Sequence, residues 1–261
     1  MKIFFLTIFI LICCLGFWAL IVEPYTLNVK HITIKNSPIK GLKLVFASDL
    51  HIKPYEGFRL KKIVKTINTQ KPDIVLLGGD YISETNNFTM DIEDIADELS
   101  KIKSPMGTFA VLGNHDGWFN ARKVTKILTI NNIKVLANTY IEFPDFVLSG
   151  VEDFQTQHAK VDLAIPQTSK PIIFLTHHPD VFEQVPDGTF LTLAGHLHGG
   201  QVDLPILGKL VVPSKYGQKF VEGNGFVKEN GKMIYTSKGL GTSILPVRFR
   251  AVPEIVVITF K

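Results

Sequence analysis

The sequence predicts an α/β fold in which two sheets pack face to face with helices outside them, a four-layer α-β-β-α sandwich, preceded by one transmembrane helix. Three observations predict it. An apolar segment without charge opens the chain. Buried-strand patterns then alternate with amphipathic-helix patterns through the first half, which is typical of parallel strands joined by helices. In the second half, strand patterns follow one another at shorter spacing, which indicates a second sheet.

The apolar segment is "IFFLTIFILICCLGFWALIV", from Ile3 to Val22. About 20 residues at about 1.5 Å each cover a hydrocarbon core of about 30 Å. The alternative is a cleaved signal peptide, whose apolar region is shorter and ends in small residues. Because Trp18-Ala19-Leu20 offers no such cleavage pattern, we predict a signal anchor over residues 1–22 and a single-pass protein of the cell membrane.

The charges flanking this segment favour a cytoplasmic catalytic domain. Lys2 is the only charged side chain before it, and the lysines that follow are Lys30, Lys35, Lys40 and Lys43. The positive-inside rule then places the domain in the cytoplasm, although a large domain can also translocate despite nearby lysines. The membrane side therefore stays open at this stage.

Composition restricts the rest of the chain to one globular domain. The sequence has 261 residues, of which 46% are hydrophobic and 20% charged, enough for one sizeable core after the anchor. Both cysteines, Cys13 and Cys14, lie in the anchor, so the domain has no disulfide, which fits either compartment. A net charge of +4 without a dense basic run gives no reason to expect a nucleic-acid partner, and no protein partner is evident.

Strands and helices can be assigned in order along the first half. Residues 23–41 form a tether that contains "VKHITIKN", an alternating pattern predicted to be an edge strand. Three buried strands follow: "LKLVFASD" over 42–49, "DIVLLGGD" over 73–80 and "TFAVLGNHD" over 108–116. Apolar residues at helical spacing predict the three helices between and after them: Leu60, Ile63, Val64 and Ile67; Ile92, Ile95, Leu99 and Ile102; Val124, Ile127 and Leu128.

The second half predicts strands with short connections. These are "DFVLSGVED", "PIIFLTHHPD" and "FLTLAGHLH". Near the end, "GKMIYTSKG" and "PEIVVITF" are predicted to pair with each other as closing strands. We assign residues 42–261 to one catalytic domain.

Metal-ligand residue types follow the buried strands. Singly, each is expected to be a turn former, a helix cap or a satisfied histidine. Together they collect where open α/β folds place their sites, and strand alternation lets His196 and His198 point the same way. Oxygen and imidazole ligands without a thiolate suit Mn²⁺, Fe or Zn²⁺. The set comprises Asp49, His51, Asp80, Asn114, His115, His177, His196 and His198.

The motifs "DLH", "GGDY", "GNHD", "THHPD" and "GHLHGG" occur in the order and at about the spacing of the calcineurin-like metallophosphoesterases, which the chain resembles from Leu42 to Lys261. The resemblance implies two divalent ions, Mn²⁺ being the first expectation. One would be held by Asp49, His51, Asp80 and His198. The other would be held by Asp80, Asn114, His177 and His196, with Asp80 bridging. Leu197 departs mildly from the small polar residue common in the family, and His178 remains an alternative to His177.

Further roles follow from the same resemblance. His115 is implied to be the general acid that protonates the leaving oxygen, oriented by Asp49. Asp116 fits a helix or turn cap better than a ligand. For Trp118, with Phe119, the choice lies between an entrance for acyl chains and ordinary packing. Arg248, with Arg250, either reaches a second phosphate or forms an exposed, solvated pair.

The segments "GHLHGGQV", "YGQKFVEG" and "GLGTSILPVRFRAVPEI" resemble a membrane-anchored bacterial subgroup that includes a UDP-diacylglucosamine pyrophosphatase of lipid A synthesis. This implies hydrolysis of a phosphodiester or pyrophosphate bond in a lipid-linked substrate. The alternatives are a general phosphodiesterase or phosphatase acting on soluble nucleotides or cell-wall phosphates, and an inactive metal-binding scaffold. The complete ligand set counts against the scaffold.

Overall fold

Two six-stranded sheets form the centre of the protein, whose computed structural model describes residues 1–83, 89–209, 211–221 and 225–261. The strands, in chain order, are β1 (Asn28–Ile34), β2 (Lys43–Ala47), β3 (Ile74–Leu77), β4 (Thr108–Ala110), β5 (Ile133–Val135), β6 (Thr139–Glu142), β7 (Val147–Gly150), β8 (Ile172–Leu175), β9 (Leu191–Ala194), β10 (Asp203–Leu204), β11 (Gly208–Lys209), β12 (Val227–Glu229), β13 (Lys232–Thr236) and β14 (Glu254–Phe260). The α-helices are α1 (Lys2–Phe17), α2 (Gly57–Thr69), α3 (Ile92–Leu99), α4 (Asn114–Ile130) and α5 (Val161–Ala164).

The first sheet has the order β1-β14-β2-β3-β4-β5. Strands β2, β3, β4 and β5 are mutually parallel, as the alternation of strands and helices predicts. The predicted edge strand is confirmed, since β1 lies at the margin and pairs only with β14 among the described strands. The apolar faces of α2, α3 and α4 are buried against this sheet in one core cluster.

The second sheet has the order β12-β13-β9-β8-β7-β6, with a parallel centre and an antiparallel strand at each margin. Its inner face meets the inner face of the first sheet: Leu44 and Phe46 share one buried cluster with Leu148, Leu175 and Leu193. The predicted α/β sandwich is therefore confirmed. The layer outside the second sheet is thin, because it consists of α5, a 3₁₀ helix over Pro179–Gln184 and loops.

Two sequence assignments are wrong. The predicted closing pair does not form: β13 pairs with β9 in the second sheet, whereas β14 inserts between β1 and β2 in the first. Six of the seven residues of β14 are buried, as a central strand requires. The third predicted strand is also too long, since β4 ends at Ala110 and "NHD" opens α4.

The N-terminal helix is joined to the domain at its far end. Helix α1 continues as a π-helix over Trp18–Val22 and a 3₁₀ turn over Glu23–Tyr25, which together are long and apolar enough to cross a membrane. Ala19 is buried, and its carbonyl accepts a hydrogen bond from Arg248 N at 2.9 Å. The Glu23 carboxylate accepts from Ala251 N at 2.6 Å and from Trp18 Nε1 at 2.8 Å. The apolar helix therefore ends on the surface of the domain.

Candidate metal centre and active site

The ends of five buried segments bring the predicted ligands to one place. β2 leads to Asp49 and His51, β3 leads to Asp80, and α4 begins with Asn114 and His115. From the second sheet, β8 leads to His177 and β9 leads to His196 and His198. All eight side chains are buried. The carboxyl ends of parallel strands meet at one edge of a sheet, and here two such edges lie side by side.

Several of these residues have a left-handed backbone. φ is 55° at Asp49, 42° at His51, 56° at Asp80, 70° at His196 and 49° at His198. Residues other than glycine rarely have positive φ, and strain of this kind concentrates at functional sites. The chain thus turns sharply after β2, β3 and β9, where these side chains meet at the junction of the two sheets.

The first cluster contains Asp49, His51 and His198, whose ligand atoms lie within 4.8 Å of one another. His51 Nε2 is 3.2 Å from His198 Nε2, which is 3.4 Å from Asp49 Oδ1. Burial lowers the pKa of His51 to about 3, so its ring is neutral and keeps a lone pair for a cation. Burial raises the pKa of Asp49 to about 6.

The second cluster contains Asp80, His177 and His196. His177 Nε2 lies 3.2 Å from Asp80 Oδ2, 3.2 Å from Asn114 Oδ1 and 3.3 Å from His196 Nδ1. The same Oδ2 of Asp80 lies 3.4 Å from His51 Nε2. Asp80 therefore stands between the two clusters, where a carboxylate could serve both.

The donor set of the second cluster fits a cation. His177 Nδ1 lies 2.7 Å from the carbonyl oxygen of Gly78, to which a neutral ring donates its one proton. A neutral ring would then point its Nε2 lone pair at the oxygens of Asp80 and Asn114, acceptor against acceptors, unless a proton or a metal ion lies between them. Burial by itself lowers the pKa of His177, but the carboxylates of Asp80, Asp49 and Asp153 together outweigh it and raise this pKa to about 10. A positive charge is thus favoured at the point where the ligand atoms converge.

Two glycines let the ligands approach one another. A side chain on Gly113 would overlap the Asp80 carboxylate, and one on Gly195 would overlap Ser48 and Asp49.

The Asp116 carboxylate binds the backbone around Asp80. Its Oδ2 accepts from Asp80 N at 2.7 Å and from Gly113 N at 2.9 Å, and its Oδ1 accepts from Tyr81 N at 3.0 Å. Its bond to the N–H of Gly113, the N-cap residue of α4, caps the start of this helix from its third position, so the predicted cap is confirmed.

His115 borders both clusters and the surface. Its backbone N–H donates to Asp80 Oδ1 at 3.0 Å, and its ring meets the His51 ring edge to face at 4.8 Å between centroids. Its Nε2 lies 3.3 Å from Ser243 Oγ. Asp49 accepts from His196 N at 2.9 Å, and its orienting role towards His115 stays a prediction.

Comparison with known proteins decides the family. Residues 42–209 match the family model described as Calcineurin-like phosphoesterase. The chain belongs to the calcineurin-like phosphoesterases. It is 31% identical to the uncharacterized metallophosphoesterase YkuE of Bacillus subtilis, over 94% of this chain and 89% of YkuE. It is 32% identical to the phosphodiesterase YaeI of Escherichia coli, over 82% of this chain and 80% of YaeI.

One further relative and one solved structure are also similar. A transmembrane protein with a metallophosphoesterase domain from Danio rerio is 30% identical, over 85% of this chain and 54% of that protein. Among solved structures, TT1561 of Thermus thermophilus aligns with a TM-score of 0.47 and 16% identity, over 76% of this chain and 90% of TT1561. Family membership and the ligand clusters together make this chain a metal-dependent phosphoric ester hydrolase.

Of the two adjacent histidines, His177 points into the second cluster and His178 points away from it. The His178 ring stacks on His196 with centroids 4.1 Å apart, and its Nδ1 accepts a hydrogen bond from Asp180 N at 3.2 Å. His178 also lines a cavity of about 720 Å³ that extends past Phe154 and Lys215. The geometry thus supports His177 as the ligand and makes His178 a wall between the cluster and this cavity.

Arg248 requires a correction. It is fully buried rather than part of an exposed pair, and its guanidinium donates to the carbonyl oxygens of Gly241, Ala251 and Lys238. Its Nη2 also lies 3.3 Å from His198 Nδ1. Because these partners occupy the guanidinium, the arrangement does not support a direct contact with a substrate phosphate. A single arginine in a sequence gives no sign of such acceptors, since arginine is rarely buried.

Trp118 is not packed in the core. Half of its side chain is exposed, and its ring lies 5.1 Å from the His115 ring between centroids, so it stands at the rim of the site. Phe119 is exposed as well.

Sequence reasoning missed Ser243 altogether. This residue lies in a loop 128 residues beyond His115, and no strand pattern or ligand chemistry singles it out.

Proposed function

We propose that the protein hydrolyses a phosphodiester or pyrophosphate bond with two divalent ions at the centre built on Asp80. One observation carries the proposal: two clusters of buried histidine and carboxylate ligands meet at that single carboxylate. The proposed ligands are Asp49, His51, Asp80 and His198 for one ion, and Asp80, Asn114, His177 and His196 for the other. Mn²⁺ is the proposed metal, with Fe and Zn²⁺ as alternatives that suit the same donors.

Divalent ions held by these residues would lower the pKa of a bound water and neutralise charge that builds on phosphorus. The chain's own groups supply the remaining parts. His115 lies at the rim of the clusters and gives a proton to the leaving oxygen, with its Nε2 held by the Ser243 hydroxyl at 3.3 Å. The exposed ring of Trp118 lies beside His115, so we place the entrance for the substrate at these two residues.

The membrane is the second part of the proposal. We assign residues 1–22 to a single-pass anchor, 23–41 to a tether and edge strand, and 42–261 to the catalytic domain, which we place in the cytoplasm. Arg248 supports a site close to the bilayer: its backbone N–H donates to Ala19 O at 2.9 Å, and its side chain lies 3.3 Å from the ligand His198. One residue thus connects the end of the apolar helix to the metal centre.

This proximity favours a lipid-linked substrate of the UDP-diacylglucosamine type. The exposed rings of Trp118 and Phe119 at the rim offer acyl chains an apolar entrance. The cavity of about 720 Å³ beyond His178 offers space for a polar headgroup, with an aromatic ring at Phe154 and a cation at Lys215. Hydrolysis of the pyrophosphate bond by water would then release UMP and leave a monophosphate on the lipid, on the domain side of the membrane.

A phosphodiesterase acting on soluble nucleotides or cell-wall phosphates is the second candidate. The same cavity favours it, because Gln155, Gln157 and Gln184 give its wall a polar character suited to a water-soluble group. In that case the anchor serves only to hold the enzyme at the membrane.

The test compares the two substrates on full-length protein in detergent with Mn²⁺. Chelator-sensitive release of UMP from UDP-diacylglucosamine, much faster than hydrolysis of bis(p-nitrophenyl) phosphate, would support the lipid-linked substrate. Turnover of the aryl diester alone would support the second candidate. If neither substrate reacts with Mn²⁺, Fe²⁺ or Zn²⁺ while Asp80→Asn binds as much metal as the parent, the binuclear hydrolase is wrong.

A further inference from the structure

Two loops beside the site expose apolar side chains at their tips. The turn between β10 and β11 presents Ile206, fully exposed, and Leu207, 67% exposed. The segment before Arg248 presents Ile244, 87% exposed, and Leu245, 60% exposed. We call residues 205–207 and 244–246 the apolar loop pair. Exposed large apolar side chains that cluster in this way mark a contact surface rather than ordinary scatter.

The two loops are held together as one surface. The Gln201 side chain donates to the carbonyl oxygens of Ser243 and Leu245 at 3.0 and 3.1 Å, and its own oxygen accepts from Ser243 N at 2.9 Å. Next to it, Val202 and Phe249 form a parallel bridge. Residues just before the β10–β11 turn are therefore bonded to the segment that carries Ile244 and Leu245, which places the two loops side by side.

The surface lies at the end of the apolar helix. Arg248 N donates to Ala19 O, and Pro246 and Leu20 line the same narrow cleft. Ala19 is three residues before the end of the uncharged segment, or about 4.5 Å along a helix axis. Trp18, beside it, is of the residue type enriched at membrane interfaces. If the helix spans a bilayer, the apolar loop pair stands at the depth where headgroups meet acyl chains.

The backbone of the loop pair gives a second, independent indication. φ is 73° at Ile206 and 62° at Ile244, a left-handed conformation that β-branched residues rarely adopt. Asparagine or glycine would fit both turns with less strain. Because both isoleucines are exposed, burial within the described chain does not compensate for this strain. An apolar contact outside the chain would compensate for this strain.

We propose that the apolar loop pair inserts into the interface of the bilayer that the N-terminal helix crosses, and so turns the mouth of the site towards the lipid. This rests on the membrane anchor of the proposed function. The bilayer is the occupant because the surface adjoins the helix end, so any membrane the helix crosses already reaches these side chains. Insertion also acts on the site directly, since Gln201 follows the His198–Gly200 turn and Ser243 contacts His115.

Depth-dependent quenching tests the insertion without reference to catalysis. The background carries Cys13→Ser and Cys14→Ser, and Ile206→Cys, Ile244→Cys or Ile130→Cys supplies one site for a bimane label. Ile130 is a matched control, 65% exposed at the far end of α4 from the site. In phosphatidylethanolamine/phosphatidylglycerol nanodiscs with doxyl-labelled lipid, we expect several-fold stronger quenching at 206 and 244 than at 130. Equal, weak quenching at all three positions overturns the proposal.

A second pair of variants tests the consequence for turnover. Ile206→Asn with Ile244→Asn removes the apolar tips but suits the left-handed turns, so the melting temperature should hold or rise. We expect unchanged hydrolysis of the aryl diester and a several-fold lower kcat/KM for UDP-diacylglucosamine in the same nanodiscs, with Ile130→Asn matching the parent. Equal loss on both substrates would show damage to the site and overturn the proposal. Should the parent hydrolyse neither substrate, the proposed function fails, while the quenching result still decides on insertion.

Discussion

The two sheets contribute to the metal centre in different ways. The first sheet supplies all the proposed oxygen ligands, Asp49, Asp80 and Asn114, whereas the second supplies only imidazoles. The second-sheet ligands are also oriented by the first sheet. His177 Nδ1 is held by Gly78 O at 2.7 Å, and His196 N donates to Asp49 Oδ1 at 2.9 Å. The first sheet thus orients side chains of both sheets, and the second sheet adds the remaining imidazoles.

This difference has a physical basis in the backbone around Asp80. The Asp116 carboxylate binds three N–H groups around Asp80, and β2, β3 and β4 pair directly behind these turns. The histidines after β8 and β9 depend on contacts across the junction instead. We therefore expect substitutions in the first sheet to disturb the ligands of both sheets. Substitutions in the second sheet should disturb only its own ligands.

The largest effect is expected from Asp80→Asn. This change removes the negative charge that both clusters share and weakens the hold on both ions, so activity should fall to the level of the chelator-treated protein. Metal analysis after desalting measures the loss directly. Asp145→Asn, an exposed aspartate, serves as the control and should keep both ions. Retention of two ions by Asp80→Asn would contradict the central place given to Asp80.

His115→Ala should separate catalysis from metal binding on the first sheet. Because His115 lies beside the clusters as the proposed acid, we expect kcat to fall by about 10²–10⁴ with metal content unchanged. The loss should be larger for an alkyl diester than for a p-nitrophenyl diester, whose leaving group needs no proton. His158→Ala, at an exposed histidine, should leave kcat unaltered. Equal losses on both diesters would remove the acid role.

On the second sheet, His177→Ala and His178→Ala distinguish the proposed ligand from its neighbour. His177→Ala should lose one ion and leave the first cluster intact, with activity partly restored by excess metal. His178→Ala should keep both ions and lose at most about 10–100-fold in activity, the typical cost of removing a residue that only orients ligands. Titration of metal against activity distinguishes the two. Loss of an ion from His178→Ala but not from His177→Ala would reverse the assignment.

The sequence could place the candidate ligands at the ends of buried strands because strand ends are local features. Each ligand follows a short apolar run, and the parallel arrangement of β2, β3 and β4 follows from the helices between them. His177 and His196 are brought to the same point because β8 and β9 are neighbours in the second sheet. The Asp116 cap is local too, since it lies three residues after Gly113.

Non-local pairing accounts for what the sequence could not predict. The apolar run of β14 indicates burial, but burial does not say which strands lie beside it, and β14 joins the first sheet across some 200 residues of chain. Arg248 is buried because carbonyls from three separate positions converge on it. Ser243 contacts His115 only through the folded loop. Such contacts are products of the tertiary structure, and no periodicity in the sequence records them.

The smallest effect is expected from removing the Asp116 carboxylate, which holds the backbone around Asp80. Asp116→Ala leaves the N–H groups of Asp80, Tyr81 and Gly113 without their acceptor, and a lost cap or buried hydrogen bond costs about 1–3 kcal/mol. The chelator-treated protein should therefore melt several degrees lower, by roughly 2–4 °C per kcal/mol at this size. Asp145→Ala should not shift the melting temperature. With excess metal, activity should fall less than in Asp80→Asn, because the ligands remain and only their alignment is lost. If Asp116→Ala lowers neither the melting temperature nor the metal affinity of the second cluster, the first sheet does not support the site in the way argued, and the two sheets hold their ligands independently.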